Sequence, residues 1–295
     1  MFALCKVSTL IAEVRRRVFM SALVQAVPCL RKGYALAAWQ AHGEPDILAG
    51  EPVPHGYIQA WTARVRGARM NERTRQWIYS RLPELQGIYE DILWAVLDPD
   101  TKPDVFDAEL ERLRLNGKAL PPWSVEALEE LCGCPNWQRL GYLLIVLRST
   151  SAHYLLARMW VQKNFTLYCA QACLMSPWRG AALLLFDLLD QIWRKYSDAT
   201  PFGWPAHRRA FAHYLAYYQC LGRALIRQGW AEGWNRHCVM WLWHLVLREN
   251  SGVLQSLRAT ERARDRMTPP SRLAGRVFRA CITDQRAAVC LMARR

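Results

Sequence analysis

The chain has 295 residues, of which 52% are hydrophobic and 22% charged, a balance that excludes an intrinsically disordered protein and supplies material for a sizeable core. Its formal net charge of +14 is carried almost wholly by arginine, since lysine occurs only at positions 6, 32, 102, 118, 163 and 195. Arginine presents a planar fork to phosphates and stacks on rings, so the composition suits an anionic partner; GC-rich codons give the same bias without any selection on function.

The first 32 residues carry net +5. Their apolar positions are cut by Arg15, Arg16 and Arg17, which argues against a secretory signal. A loop follows over Pro45, Gly50, Pro52, Pro54 and Gly56, and residues 57–81 are again net +5. Pro83 is placed to open a helix running to Leu97, because proline lacks the donor that the first helical position leaves unpaired. Asp98–Asp104 reads as a surface loop, with Asp104 capping a short helix that ends near Asn116-Gly117. Ser124 and Asn136 read as N-caps and Gly133 as a helix end. Ser176-Pro177 and Trp204-Pro205 look like two further helix entries, while Asn250-Ser251-Gly252 and Thr268-Pro269-Pro270 close the later helices.

Apolar spacing is helical nearly throughout, with no sustained alternation of period two. The expected fold is all-α, a multi-helix bundle or irregular helical array of roughly ten helices. The punctuation divides the chain into an N-terminal helical region (1–118), an aromatic-rich helical core (119–268) and a basic C-terminal helix or arm (269–295). Residues 82–135 are net −8 and residues 258–295 net +7, so the acidic middle either folds back on the basic end or faces a different partner. The apolar runs Leu143–Leu147, Ala181–Phe186 and Cys238–Trp243 fall far short of the ~20 residues that a bilayer requires. Ten cysteines without a regular framework point to reduced thiols, and a cytoplasmic protein is expected.

The stretch from Trp204 to His244 concentrates tryptophan, tyrosine, histidine and arginine. On the helix 206–228, Phe211, Tyr214, Leu215, Tyr218, Leu221 and Leu225 share a stripe that should face the core. Arg209, His213, Cys220, Arg223 and Arg227 share the opposite stripe, which either tracks a phosphate backbone or is an ordinary solvated face. In the next helix Trp234, His237, Cys238, Trp241 and Leu245 share a face and apolar residues fill the others, so it should be buried, with each ring N–H finding a partner. The C-terminal segment repeats arginine at helical intervals, at Arg258, Arg262 and Arg266 and again at Arg272, Arg276 and Arg279, beside an apolar stripe of Leu273, Val277, Cys281, Val289 and Leu291.

Other constellations are generic. Cys169 and Cys173 with His237 and His244 make two ligand pairs, and Cys132 and Cys134 lie in a turn, but no spacing matches a zinc signature and no metal site is assigned. Asp187 and Asp190 in FDLLDQ resemble half of the aspartate-rich motif that holds magnesium in helical isoprenoid synthases. Phe186 stands where that motif has another aspartate and no second such motif occurs, so the pair reads as the polar edge of a helix. No phosphate loop, dinucleotide fingerprint, HExxH or GxSxG is present, and no catalytic residue or cofactor is nominated. The expected function is binding of nucleic acid or another polyanion through Arg209, His213, Arg223, Arg227, Arg272, Arg276 and Arg279. One alternative is a protein-interaction or scaffold protein that docks a partner at the acidic 82–135 region. A second is a helical enzyme with a buried Cys/His or Asp site.

Overall fold

The computed structural model describes residues 7–27, 32–42, 52–175, 177–247, 251–259 and 267–291. Its first helix, α1 (Val7–Ala26), works on two faces: Val14 and Val18 enter a large apolar cluster, while Phe19, Met20, Ala22 and Leu23 enter a smaller one. The smaller cluster is closed by α2 (Lys32–His42), α3 (His55–Val65), α4 (Glu72–Arg81) and α5 (Glu84–Tyr89), which contribute Leu36, Trp39, Trp61, Ile78 and Leu85. Trp61 is fully buried and donates its ring N–H to Gln40 at 2.8 Å, so its one polar atom is satisfied. Much of the basic N-terminal charge is used internally: the Arg15 guanidinium lies 3.9 Å from the Tyr89 ring centroid and that of Arg75 lies 4.6 Å from it.

The larger cluster also takes in α6 (Ile92–Val96) and α7 (Pro103–Arg112) and therefore spans the punctuation near residue 118. The helix expected from Pro83 to Leu97 is two helices, because Asp91 caps a fresh start by accepting from Leu93 N–H at 2.8 Å. Helix α7 starts two residues earlier than expected, with Lys102 at the cap position and Pro103 as its first residue; Asp104 lies in the first turn instead of capping it. The chain then forms β1 (Leu113–Leu115) and β2 (Lys118–Ala119), joined by Asn116-Gly117 with φ of 53° and 78°. Both turn residues have positive φ, the requirement of a tight two-residue hairpin loop. A third strand, β3 (Val289–Leu291), pairs antiparallel with β1 in the register Leu113↔Leu291, giving the order β2-β1-β3. Strands of two or three residues are too short to leave an alternating pattern, so the sequence shows none.

The rest is helical: α8 (Val125–Cys132), α9 (Trp137–Arg148), α10 (Leu155–Ala172), α11 (Ala182–Lys195), α12 (Arg208–Arg227), α13 (Arg236–Leu247), α14 (Ser251–Ala259) and α15 (Ser271–Arg286). The fold is an all-α irregular array, as expected, with fifteen α-helices among the described residues where roughly ten were expected. Ser124 and Asn136 cap as expected, accepting from Ala127 N–H and Arg139 N–H, and Gly133 ends α8 with φ of 46°. Pro177 leads into a single turn at Trp178–Gly180 before α11, and Ser176 lies outside the described residues. Ser251 and Gly252 open α14 instead of closing a helix. The aromatic middle packs as a layer: Phe186 stacks on Trp204 at 5.3 Å and on Phe211 at 5.1 Å, and Tyr168 meets Trp243 edge-on. Among the described residues no single helix is long and apolar enough to cross a membrane.

Candidate functional site

Helix α12 positions the first group of candidates. Phe211, Leu215, Tyr218, Leu221 and Leu225 are buried, which turns Arg209, His213, Cys220, Arg223 and Arg227 outward. The helix contains no acidic residue, and neither Arg209 nor Arg223 forms an ion pair with a described residue. Arg208 at its start pairs with Asp187 at 2.8 Å. Tyr214 departs from its expected core position and is 38% exposed. The inward wedge is already filled by the residues at 211, 215 and 218, so Tyr214 and the half-buried Tyr217 are pushed to its flank. With Ala210 and His213 they line an open hollow of about 520 Å³ on the helix surface.

Helix α13 is buried on nearly all sides, as its apolar circumference requires, but His237 is exposed. Trp234 donates to Leu174 C=O, whereas the buried ring N–H of Trp241, packed against the rings of Trp230 and His237, has no hydrogen-bond partner among the described residues. Among the described residues, the expectation that each tryptophan N–H here is satisfied is not met at Trp241.

The basic C-terminal helix is docked. Leu273 and Val277 are buried in the large cluster, and Arg272, Arg276 and Arg279 are exposed, with Phe278 67% exposed among them. Arg262 and Arg266 lie outside the described residues. Arg276 and Arg279 border a cleft of about 460 Å³ whose other wall is Glu126, Glu129 and Glu130 of α8. The acidic middle and the basic end thus meet here.

That meeting is fastened by Asp284, the single acid of α15, whose side chain is 1% exposed. Its Oδ1 lies 2.9 Å from the Arg139 guanidinium and accepts from Cys134 N–H at 3.1 Å, while Oδ2 accepts from Arg236 Nε at 2.8 Å. Arg139 also donates to the carbonyls of Glu130 and Leu131, the open end of α8. Gly133 fits over this pair because a Cβ there would overlap Arg139 and Asp284. Sequence reading missed this cluster; its one signal was a lone acid in an otherwise basic segment.

On the other side of Asp284 a second cleft of about 450 Å³ is lined by Asp91, Gln138, Tyr142 and Arg236 among others. Burial pushes the Asp91 carboxyl up to about 7, against the opposing effect of its bond from Leu93 N–H. Burial also raises the Tyr142 hydroxyl and takes the Cys134 thiol up to about 12. The Cys169 thiol is raised well above its ordinary value by its hydrogen bond with Cys173 and by burial, so these sulfurs stay protonated and are poor nucleophiles. Among the described residues no three of His, Cys, Asp and Glu converge as a metal ion requires. Asp187 and Asp190 are engaged by Arg208 and Arg194.

No protein-family model, curated protein or solved structure matches the chain.

Proposed function

We propose that this is an all-helical protein that binds nucleic acid or another polyanion through the exposed face of α12, in the cytoplasmic setting that the cysteine usage suggests. The observation that carries this reading is a twenty-residue helix without one acidic residue, presenting Arg209, His213, Arg223 and Arg227 on its exposed side. Guanidinium groups neutralise phosphates, each contact adding a salt-sensitive increment to binding. Arg272, Arg276 and Arg279 with Phe278 form a lesser second surface, because Glu126, Glu129 and Glu130 face two of these arginines.

Fluorescence anisotropy with labelled single-stranded and duplex probes across a salt series tests the proposal. Binding in the micromolar range is expected, and Arg209→Ala with Arg223→Ala should flatten the slope of log K against log salt by about 1.4 on a single strand, ~0.7 for each phosphate no longer neutralised. No binding at low salt, or a slope that ignores both substitutions, refutes it.

A protein-docking role has its own support in Leu155, Leu156 and Met159, which are 47%, 52% and 48% exposed near the start of α10. A stoichiometric protein partner released by Leu156→Lys, together with no retained nucleic acid, favours that reading.

A further inference from the structure

The cleft beside Asp284 is lined by two carboxylates and two guanidinium groups, and of these Asp91 alone stands outside the ion cluster. Both arginines on its wall, Arg139 from α9 and Arg236 from the start of α13, are already paired with Asp284 of α15. Asp91, half-buried at the start of α6, accepts one backbone hydrogen bond and forms no ion pair with a described residue. A carboxylate removed from water in this way is costly unless a proton or a cation joins it. One carboxylate does not make a divalent-metal site, since calcium takes six or more oxygens and magnesium near-ideal octahedral geometry. The volume of about 450 Å³ is within the range of small-ligand pockets. Gln138 on the rim makes no hydrogen bond with a described residue, so its amide oxygen is open to an N–H donor. Tyr142 donates only a long bond, 3.4 Å, to Val289 C=O and keeps its lone pairs for the same purpose.

We propose that this cleft binds a small molecule bearing a primary ammonium group, which sets its charge against Asp91 and donates to Gln138 or Tyr142. An ammonium has three donors and no acceptor, which matches a lining of one carboxylate and two open oxygens. The inference is independent of polyanion binding at α12.

Isothermal titration calorimetry of the full chain with n-butylammonium chloride tests it, with sodium butyrate as the anionic counterpart of equal size. The amine stays protonated at both pH 6 and pH 8, whereas Asp91 titrates near 7. Affinity should therefore rise about tenfold from pH 6 to pH 8, in proportion to the ionised fraction. Asp91→Asn should abolish the binding while keeping the cap, because asparagine accepts the Leu93 N–H equally well. Gln138→Leu, a change on the exposed rim, should weaken it several-fold with folding intact. Butyrate binding in place of the amine, an affinity indifferent to pH and to Asp91→Asn, or no heat with either probe overturns the proposal.

Discussion

Asp91 couples the charge state of one side chain to folding. Its carboxyl titrates near 7 in the folded chain because burial disfavours the anion, against an ordinary value of 3.8. Between those values the folded state holds the proton and the unfolded state releases it, so stability falls as pH rises through that window. Asp91→Asn carries no charge at any pH and removes the loss. The variant should melt higher than the parent at pH 8, by on the order of 2 kcal/mol after discounting for partial exposure, and nearly match it at pH 4. Thermal melts of both proteins at the two pH values check this; equal melting at pH 8 would mean that Asp91 ionises without penalty. The direction is opposite to that of a salt-bridged aspartate, whose contribution is lost on acidification.

At the scale of elements, the packing of α12 on α13 depends on a position that helix propensity would change. Gly222 lies in the interior of α12, where alanine is intrinsically better by about 1 kcal/mol. A Cβ there would run into the six-membered ring of Trp234, and that ring is pinned by its N–H to Leu174 C=O at 3.1 Å. Gly222→Ala should therefore destabilise by roughly 1–3 kcal/mol, the cost of overpacking exceeding the propensity gain. A lower urea midpoint with an unchanged m-value is the expected signature, and a raised midpoint rejects the close approach. The same pair of helices separates what the sequence could reveal from what it could not. The inward stripe of α12 and the buried circumference of α13 were legible because each follows from a period of 3.6 and needs no partner to be known. The caps at Ser124 and Asn136 were legible for the same reason: the side chain bonds within its own first turn. Tyr214 was misplaced because its exposure depends on how wide a wedge the neighbouring helices leave, which no single-helix pattern encodes. The break at Asp91 was hidden by an uninterrupted apolar pattern, and the three-stranded sheet by strands too short to show one. The Asp284 cluster and the Asp91 cleft join residues as far apart in the chain as Asp91 and Val289, so only the fold brings them together.

Across the whole molecule, the C-terminal segment closes the structure on its middle. Strand β3 pairs with β1, Asn116 N–H donates to Ala288 C=O at 2.7 Å, and its side chain accepts from Ala288 N–H at 2.9 Å. Asp284 joins α15 to α9, to the turn at Cys134 and to the start of α13 in one carboxylate. Both arginines are held for that purpose, but they differ in what they lose when the acid is removed. Arg236 is half exposed and can return to water, whereas Arg139 is buried and cannot. Asp284→Ala should therefore cost about 3–5 kcal/mol, mostly as the penalty of leaving Arg139 charged and unpaired. Arg139→Met alone is also unfavourable, because it leaves the last carbonyls of α8 without their donor and Asp284 with one partner fewer. Adding Arg139→Met to Asp284→Ala removes the orphaned charge, so the double variant should be more stable than Asp284→Ala alone by at least ~1 kcal/mol. Chemical denaturation of the four proteins in the cycle measures that difference. Additive losses would show that the two side chains do not depend on each other, and the C-terminal segment would then be held by its apolar stripe and strand alone. A non-additive result places the clamp in the ion cluster, where the basic end of the chain is tied to its acidic middle.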